Sequence, residues 1–155
     1  MKDKLIEVKH IKKYFPVGRD AFLHAVEDVS FDIEKGEIFG IVGESGSGKS
    51  TIGRCILKLV DIDEGQVIFE KKRVDNLDKE HLRQIRQQMQ MVFQNPLASF
   101  NPKKYIGASF MELGKVYKIP REEMNKSIIN LLELINLPAD VLTRMPNQLS
   151  GGQLQ

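Results

Sequence analysis

The chain has a single cysteine and no tryptophan in its 155 residues. Cys55 has no partner for an internal disulfide, so a packed thiol in a reducing compartment is expected. An excess of one charge is missing too: 23 Lys and Arg against 21 Asp and Glu leave a formal +2. That is too small to argue for a nucleic-acid partner, and the Lys71-Lys72-Arg73 cluster reads as a solvated turn. No apolar run approaches the length that crosses a bilayer, and Met1-Lys2-Asp3-Lys4 moves straight into an alternating pattern without the apolar stretch of a signal peptide. The expectation is a soluble chain that reaches a membrane only through a partner. Internal repeats and low-complexity tracts are absent as well. What remains, 41% hydrophobic and 28% charged residues, is an ordinary globular composition of about one domain.

Against these absences stands one dense motif. Gly43 to Thr51 reads GESGSGKST and matches G-x-x-x-x-G-K-[ST] through Gly43, Gly48, Lys49 and Ser50. The apolar run Ile38-Phe39-Gly40-Ile41-Val42 leads in as an expected strand, and Ile52, Ile56, Leu59 and Val60 lead out at helical spacing. Glycine and serine at Gly43, Ser45, Gly46, Ser47 and Gly48 let the backbone curl into a nest of inward N–H groups, and the following helix adds the positive end of its dipole. A polyphosphate fits such a loop without side-chain bulk. Lys49 supplies a point charge to the β and γ phosphates, and Ser50 offers its hydroxyl to Mg²⁺. A dinucleotide site is excluded, because the glycines fall as G-x-x-G-x-G and not as G-x-G-x-x-G.

Around the motif the hydrophobic period changes along the chain. Leu5 to Val8 alternates as a half-buried strand that Ile11 to Phe15 continues and Pro16 and Gly18 end; Phe22 to Val26 and Val29 to Ile33 alternate again. Glu34-Lys35-Gly36 is the turn into the phosphate-loop strand, whose continuous apolar character predicts burial on both faces of a mainly parallel sheet. Asp63-Glu64-Gly65 reads as a further turn, Val67 to Phe69 as a short strand, and Met89 to Phe93 as another. Asp78 is placed to cap a helix over Lys79 to Gln88 that turns Leu82, Ile85 and Met89 inward. Beyond Asn95, Pro96 and Pro102 mark a loop, followed by helices over Ile106 to Tyr117 and Arg121 to Asn136. The second has Pro120 at its start, Glu122 and Glu123 near the positive dipole end, and a core stripe of Ile128, Leu131, Leu132 and Ile135. A mixed α/β body over residues 1–94 thus gives way to a helical section over 95–155.

Three more features fall in order around the phosphate loop: Tyr14 at the end of the first strand, Gln94 after the strand Met89 to Phe93, and LSGGQ at Leu149 to Gln153. In this order the chain resembles the ATP-binding cassette (ABC) ATPases over essentially its whole length. KKYFPV, VGESGSGKSTIGR and MQMVFQNPLASFNP look most like the oligopeptide and dipeptide importer branch. The resemblance implies an α/β fold: a phosphate-loop (P-loop) NTPase core with an antiparallel β subdomain before it and a helical subdomain after it, C-terminally incomplete. It implies ATP and Mg²⁺ as cofactors. Tyr14 would stack on adenine; Gly43, Glu44, Ser45, Gly46, Ser47, Gly48, Lys49, Ser50 and Thr51 would cradle the phosphates. Gln94 would reach Mg²⁺ or the attacking water, making Lys49 and Gln94 the catalytic pair and Ser50 and Gln94 the metal-side pair. Ser150, Gly151, Gly152 and Gln153 would close over the γ-phosphate held by an opposing subunit, because a serine and two glycines at a helix start present a hydroxyl and bare N–H groups to an anion.

The same resemblance implies partners: transmembrane permease subunits, a second ABC ATPase subunit in a homo- or heterodimer, an extracytoplasmic substrate-binding protein reached indirectly, and no nucleic acid. It places the chain in the cytoplasm, peripheral on the inner face of the cell membrane. The family order continues with a Walker B strand ending in Asp and Glu, a D-loop and a switch histidine, none of which is found here. Leu59-Val60-Asp61 is the nearest imitation of Walker B, but it ends the phosphate-loop helix. His10, His24 and His81 precede the signature and read as surface or packing histidines, while Leu154 stands where this branch usually has arginine. The sequence reaches Gln155 just where the signature helix should begin. Two functions follow as expectations, an ATPase subunit that drives peptide import or a truncated ATP-binding fragment or interaction module without turnover; LSGGQ argues against a third, a small-molecule kinase.

Overall fold

The computed structural model describes residues 3–155, which form two compact units, 3–91 and Val92–Gln155. The first is built on a four-stranded antiparallel sheet in the order β2-β1-β3-β4. Its strands are β1 (Lys4–Pro16), β2 (Phe22–Glu34), β3 (Glu64–Phe69) and β4 (Lys72–Arg73). Strand β1 continues through Ile11 to Phe15 as expected and β2 carries both of its alternating runs, because β-bulges take the ladder across the breaks. At one break His10 and Asp28 both take left-handed backbone, with φ of 50° and 48°. There His10 Nδ1 and Asp28 Oδ1 lie 2.8 Å apart.

Period-2 alternation does the rest. Ile6 pairs with Ile33 and with Phe69, and Val8 pairs with Phe31 and with Val67, so one face gathers apolar side chains across three strands. Val8, Ile11, Val26, Val67 and Phe69 are buried there with Val74. Helices α1 (Lys49–Ile56) and α2 (Lys79–Arg86) complete this core with Ile52, Cys55, Leu82 and Ile85, and Met89 follows. Asp63-Glu64-Gly65 proves to be the entry to β3 instead of a separate turn. Gly65 is required there: its φ is +92°, and a Cβ would sit 2.4 Å from the His10 carbonyl oxygen.

Several sequence expectations are corrected in this unit. Ile38 to Val42 is not a strand and joins no sheet, so no parallel pair exists among the described residues. Ile38 is 100% and Val42 98% exposed, while Phe39 keeps partial cover by stacking on Phe31 with ring centroids 4.8 Å apart. The physical reason is the ladder: an extended run becomes a strand only where a neighbour takes its N–H and C=O groups. Met89 to Phe93 lacks strand structure for the same reason. Helix α1 ends at Ile56, short of Val60, because Lys58 turns left-handed at φ 48°. Arg86 closes that end, donating from Nη2 to the Lys58 carbonyl at 2.6 Å and from Nε to that of Leu57 at 3.3 Å. Lys71-Lys72-Arg73 lies exposed across the turn into β4.

The second unit is helical: α3 (Ile106–Tyr117), α4 (Arg121–Leu134), a short α5 (Gly151–Leu154), and 3-10 turns at Pro96–Ser99, Ala139–Thr143 and Pro146–Gln148. Its core is small, with Ile128, Leu132 and Val141 buried against Phe110, Met111, Met124, Leu137, Leu142 and Leu149. The expected stripe of α4 is only half used, since Leu131 is 44% and Ile135 52% exposed. Within this unit α3 covers one side of α4 and leaves the rest of its apolar surface open. Asn136, left-handed at φ 55°, stops the helix earlier than expected. No helix of the described residues is long and apolar enough to cross a membrane.

Candidate functional site: a phosphate loop and its flanks

The loop is exposed from Gly43 to Ser47 and runs through half-buried Gly48 into α1. Gly48 is the residue before the helix, left-handed at φ 88°, and a Cβ on it would lie 2.0 Å from the Ala25 carbonyl oxygen of β2. Only glycine tolerates both conditions, so the motif's second glycine locks the loop against the sheet. No side chain caps α1. The free N–H groups of its first turn, with the positive end of the helix dipole, therefore stay open toward the loop. Lys49 folds back over it: Nζ donates to the Gly43 carbonyl at 2.8 Å, to the Glu44 carbonyl, and to Ser47 Oγ at 3.2 Å. Three loop oxygens thus hold the ammonium group at the loop, where phosphate oxygens could replace them. Ser50 is exposed one residue on, and Thr51 is half-buried.

This arrangement fits a polyphosphate: uncapped helix amides, a cation at the loop and, among the described residues, no acidic side chain bonded to it. It fits Mg²⁺ only as a companion of the phosphates, because no group of three or more His, Cys, Asp or Glu among the described residues could hold a metal alone. The Ser50 hydroxyl would supply one oxygen to an ion that otherwise takes phosphate and water ligands.

Tyr14 lies in the same unit, half-buried near the end of β1. Its N–H donates to Asp63 Oδ2 at 2.6 Å and its hydroxyl to Glu27 Oε1 at 2.9 Å. Partial burial, followed by the hydrogen bond to Glu27, raises the phenol above its ordinary value. The hydrogen bond with His24, followed by that from Tyr14, holds the Glu27 carboxyl below the usual carboxylate range. Sequence reading missed Glu27 and Asp63, and took His24 only for a surface or packing histidine. The register that sets His24 opposite Tyr14 depends on bulges, and neither alternation nor turn residues announce those.

Gln94 and the signature belong to the other unit. Gln94 is exposed in the bend before Pro96–Ser99, and α5 packs against that 3-10 turn. Ser150 begins α5 with a reciprocal cap: Ser150 Oγ accepts from the Gln153 N–H at 3.3 Å, and Gln153 Oε1 accepts from the Ser150 N–H at 3.0 Å. The signature helix therefore starts at Gly151, ahead of where the end of the sequence suggested. A Cβ on Gly151 or Gly152 would meet nothing within 4 Å. Packing in this chain does not explain glycines that cost a helix about 1 kcal/mol each relative to alanine.

Cys55 is buried and free, and burial pushes its thiol up. The three histidines are exposed, each beside a carboxylate: His10 with Asp28, His24 with Glu27 and His81 with Asp78.

Comparison with known proteins gives the family and the fold. The chain is 42% identical over 154 residues to the oligopeptide transport ATP-binding protein OppF of Streptococcus mutans serotype c, covering 98% of this chain and 50% of that protein. It is 44% identical over 157 residues to the dipeptide transport ATP-binding protein DppF of Lactococcus lactis subsp. cremoris, again at 98% and 50%. The chain thus spans about half the length of the curated relatives it matches. Among solved structures, a dimeric ATP-binding cassette in a post-hydrolysis state bound to ADP and Pi matches with a TM-score of 0.80 and 30% identity, covering 97% of this chain and 65% of that one. The fold is that of such cassettes, of which the antiparallel sheet, the phosphate loop with its helix and the helical unit are present here. A family model described as "ABC transporter" matches residues 26–155, and the chain belongs to that family.

Proposed function

We propose that this chain is the nucleotide-binding part of an ATPase subunit that powers oligopeptide or dipeptide import. The observation that carries this reading is the loop at α1: an uncapped helix N-terminus, glycine at the one position where a side chain would strike β2, and Lys49 held by loop oxygens. The names of the relatives, oligopeptide and dipeptide transport ATP-binding proteins, support peptide import as the task. Gly43 to Thr51 cradle the phosphates of ATP, Tyr14 receives the base, and the Ser50 hydroxyl serves the Mg²⁺ side. Lys49 neutralises charge on the γ-phosphate as water attacks in line. The solved cassette with ADP and Pi is dimeric, which supports a second subunit facing Ser150, Gly151, Gly152 and Gln153. Permease subunits then hold the pair at the inner face of the membrane and receive substrate from a binding protein.

The test is Lys49→Ala. Removing the loop's lysine cation should weaken ATP binding at least tenfold, about 1.4 kcal/mol. Equal affinity by calorimetry would refute the phosphate-site assignment. A polypeptide of these 155 residues alone brings Lys49 and Gln94 but no carboxylate after the signature to orient water. Its phosphate release should be no faster than that of Lys49→Ala, since interactions made in the transition state are incomplete. Turnover that Lys49→Ala abolishes would show that another group orients the water.

A further inference from the structure

Tyr14 is one of three side chains that act together. The ladder between β1 and β2 pairs Lys13 with Val26 and the next residue, Tyr14, with His24, so Ala25 is an extra residue in β2. In a regular strand His24 and Glu27, three apart, face opposite sides. A bulge between them re-aims one and brings both to Tyr14. The Tyr14 and His24 rings meet with centroids 4.3 Å apart, tilted by 44°. One carboxylate ties the two: Glu27 Oε1 accepts the Tyr14 hydroxyl at 2.9 Å, and Oε2 lies 2.7 Å from His24 Nδ1.

The same bulge governs the phosphate loop. Ala25 is the residue whose carbonyl oxygen lies where a Cβ on Gly48 would go, 2.0 Å away. A single irregularity in β2 therefore fixes the ring group on one side and the start of α1 on the other. Asp63 fixes the backbone as well, accepting the Tyr14 N–H and, at 3.2 Å, Lys13 Nζ. The side chains of His24 and Glu27 are 60% and 51% exposed. Ion pairs that open add little to stability, so the group is better explained by what it holds in place.

We propose that Glu27 and His24 are positioning residues for the nucleotide base: through the Tyr14 hydroxyl and ring flank they fix the plane of Tyr14 at a set distance from the phosphate loop. This rests on the reading that Tyr14 receives the base. An untied tyrosine would lose ring freedom when a base stacks on it, whereas a ring already held loses less.

The experiment is calorimetric titration of the full chain with ATP and with inorganic tripolyphosphate, which has the phosphates but no base. Tyr14→Ala should weaken ATP about fivefold and leave tripolyphosphate unchanged. Glu27→Ala should weaken ATP about threefold relative to Glu27→Gln. Those two variants carry the same charge, and only glutamine keeps an acceptor for the tyrosine hydroxyl. In a Tyr14→Phe background, Glu27→Ala and Glu27→Gln should bind ATP alike, because the coupled hydroxyl is gone. If Tyr14→Ala leaves ATP affinity intact, the base reading fails and the proposal with it. If Tyr14→Ala weakens ATP while Glu27→Ala and Glu27→Gln match each other, only the positioning role is overturned. A loss shared equally by ATP and tripolyphosphate in Glu27→Ala also overturns it, by marking a general effect on the fold.

Discussion

Two apolar stretches of the first unit meet different fates. Leu5 to Ile11 in β1 lies between two strands, with Val8 and Ile11 at 1% and 0% exposure; Ile38 to Val42 has no strand on either side among the described residues and leaves Ile38 and Val42 in the open. The second run is the more continuously hydrophobic. The difference teaches that hydrophobicity supplies the incentive to bury, while the hydrogen-bonding partner decides whether burial happens. The functional loop grows from the poorly partnered stretch, yet its far end is anchored through Gly48 to the well-partnered sheet.

The strongest way to break the comparison is to attack the buried side. Ile11→Ala removes a fully enclosed side chain between β2 and β3 and should cost roughly 3 kcal/mol through lost transfer energy and the cavity left behind. Urea denaturation followed by circular dichroism measures it. A cost under about 1 kcal/mol would mean that the sheet repacks, and that β1 is no better supported than the run from Ile38 to Val42.

Helix α2 offers an intermediate case, since its N-terminus has a partner of its own. Asp78 Oδ1 accepts from the Glu80 and His81 N–H groups, both at 3.0 Å, and Oδ2 meets His81 Nδ1 at 2.7 Å. Those bonds, the His81 backbone first, hold its carboxyl below the ordinary range. Stability from this cap is therefore complete above the usual aspartate range and is lost as pH falls through the lowered value. Asp78→Ala should lower the melting temperature by about 2 to 4 °C near neutral pH. At a pH below the lowered value the variant and parent should melt closer together; a pH-independent difference would mean that the cap acts without its charge.

How much was legible in the sequence follows the same division. Fixed-spacing chemistry was legible: GESGSGKST lies in a loop entering a helix, Asp78 caps α2, and LSGGQ contains a helix start at Ser150. Local periodicity was legible too, placing α3 on Ile106–Tyr117 and turning Leu82, Ile85 and Met89 inward. What failed depended on neighbours distant in sequence. A continuous apolar run promised a parallel strand, but the ladder partner is not among the elements that surround it. Leu131 and Ile135 follow the stripe of α4, yet the cover over that helix is too narrow to reach them. The Tyr14 group was hidden for a related reason, since its register passes through a bulge at Ala25 that carries no sequence signature.

The smallest expected effect sharpens the comparison most. Ile38 and Val42 are almost fully open, so replacing them should change the folded state little, even though core residues of the same type are costly to alter. Ile38→Thr with Val42→Thr keeps β-branching, and so the extended backbone preference, while removing apolar surface. Surface substitutions of this kind fall within about 0.5 kcal/mol, and the urea midpoint should barely move. Solubility should improve, because an unpaired apolar run invites association with other chains. Light scattering during concentration, read beside the denaturation curve, separates the two quantities. Should the double variant instead lose more than about 1 kcal/mol, the run must be covered in solution, and the contrast with β1 would shrink to a difference in what covers each stretch.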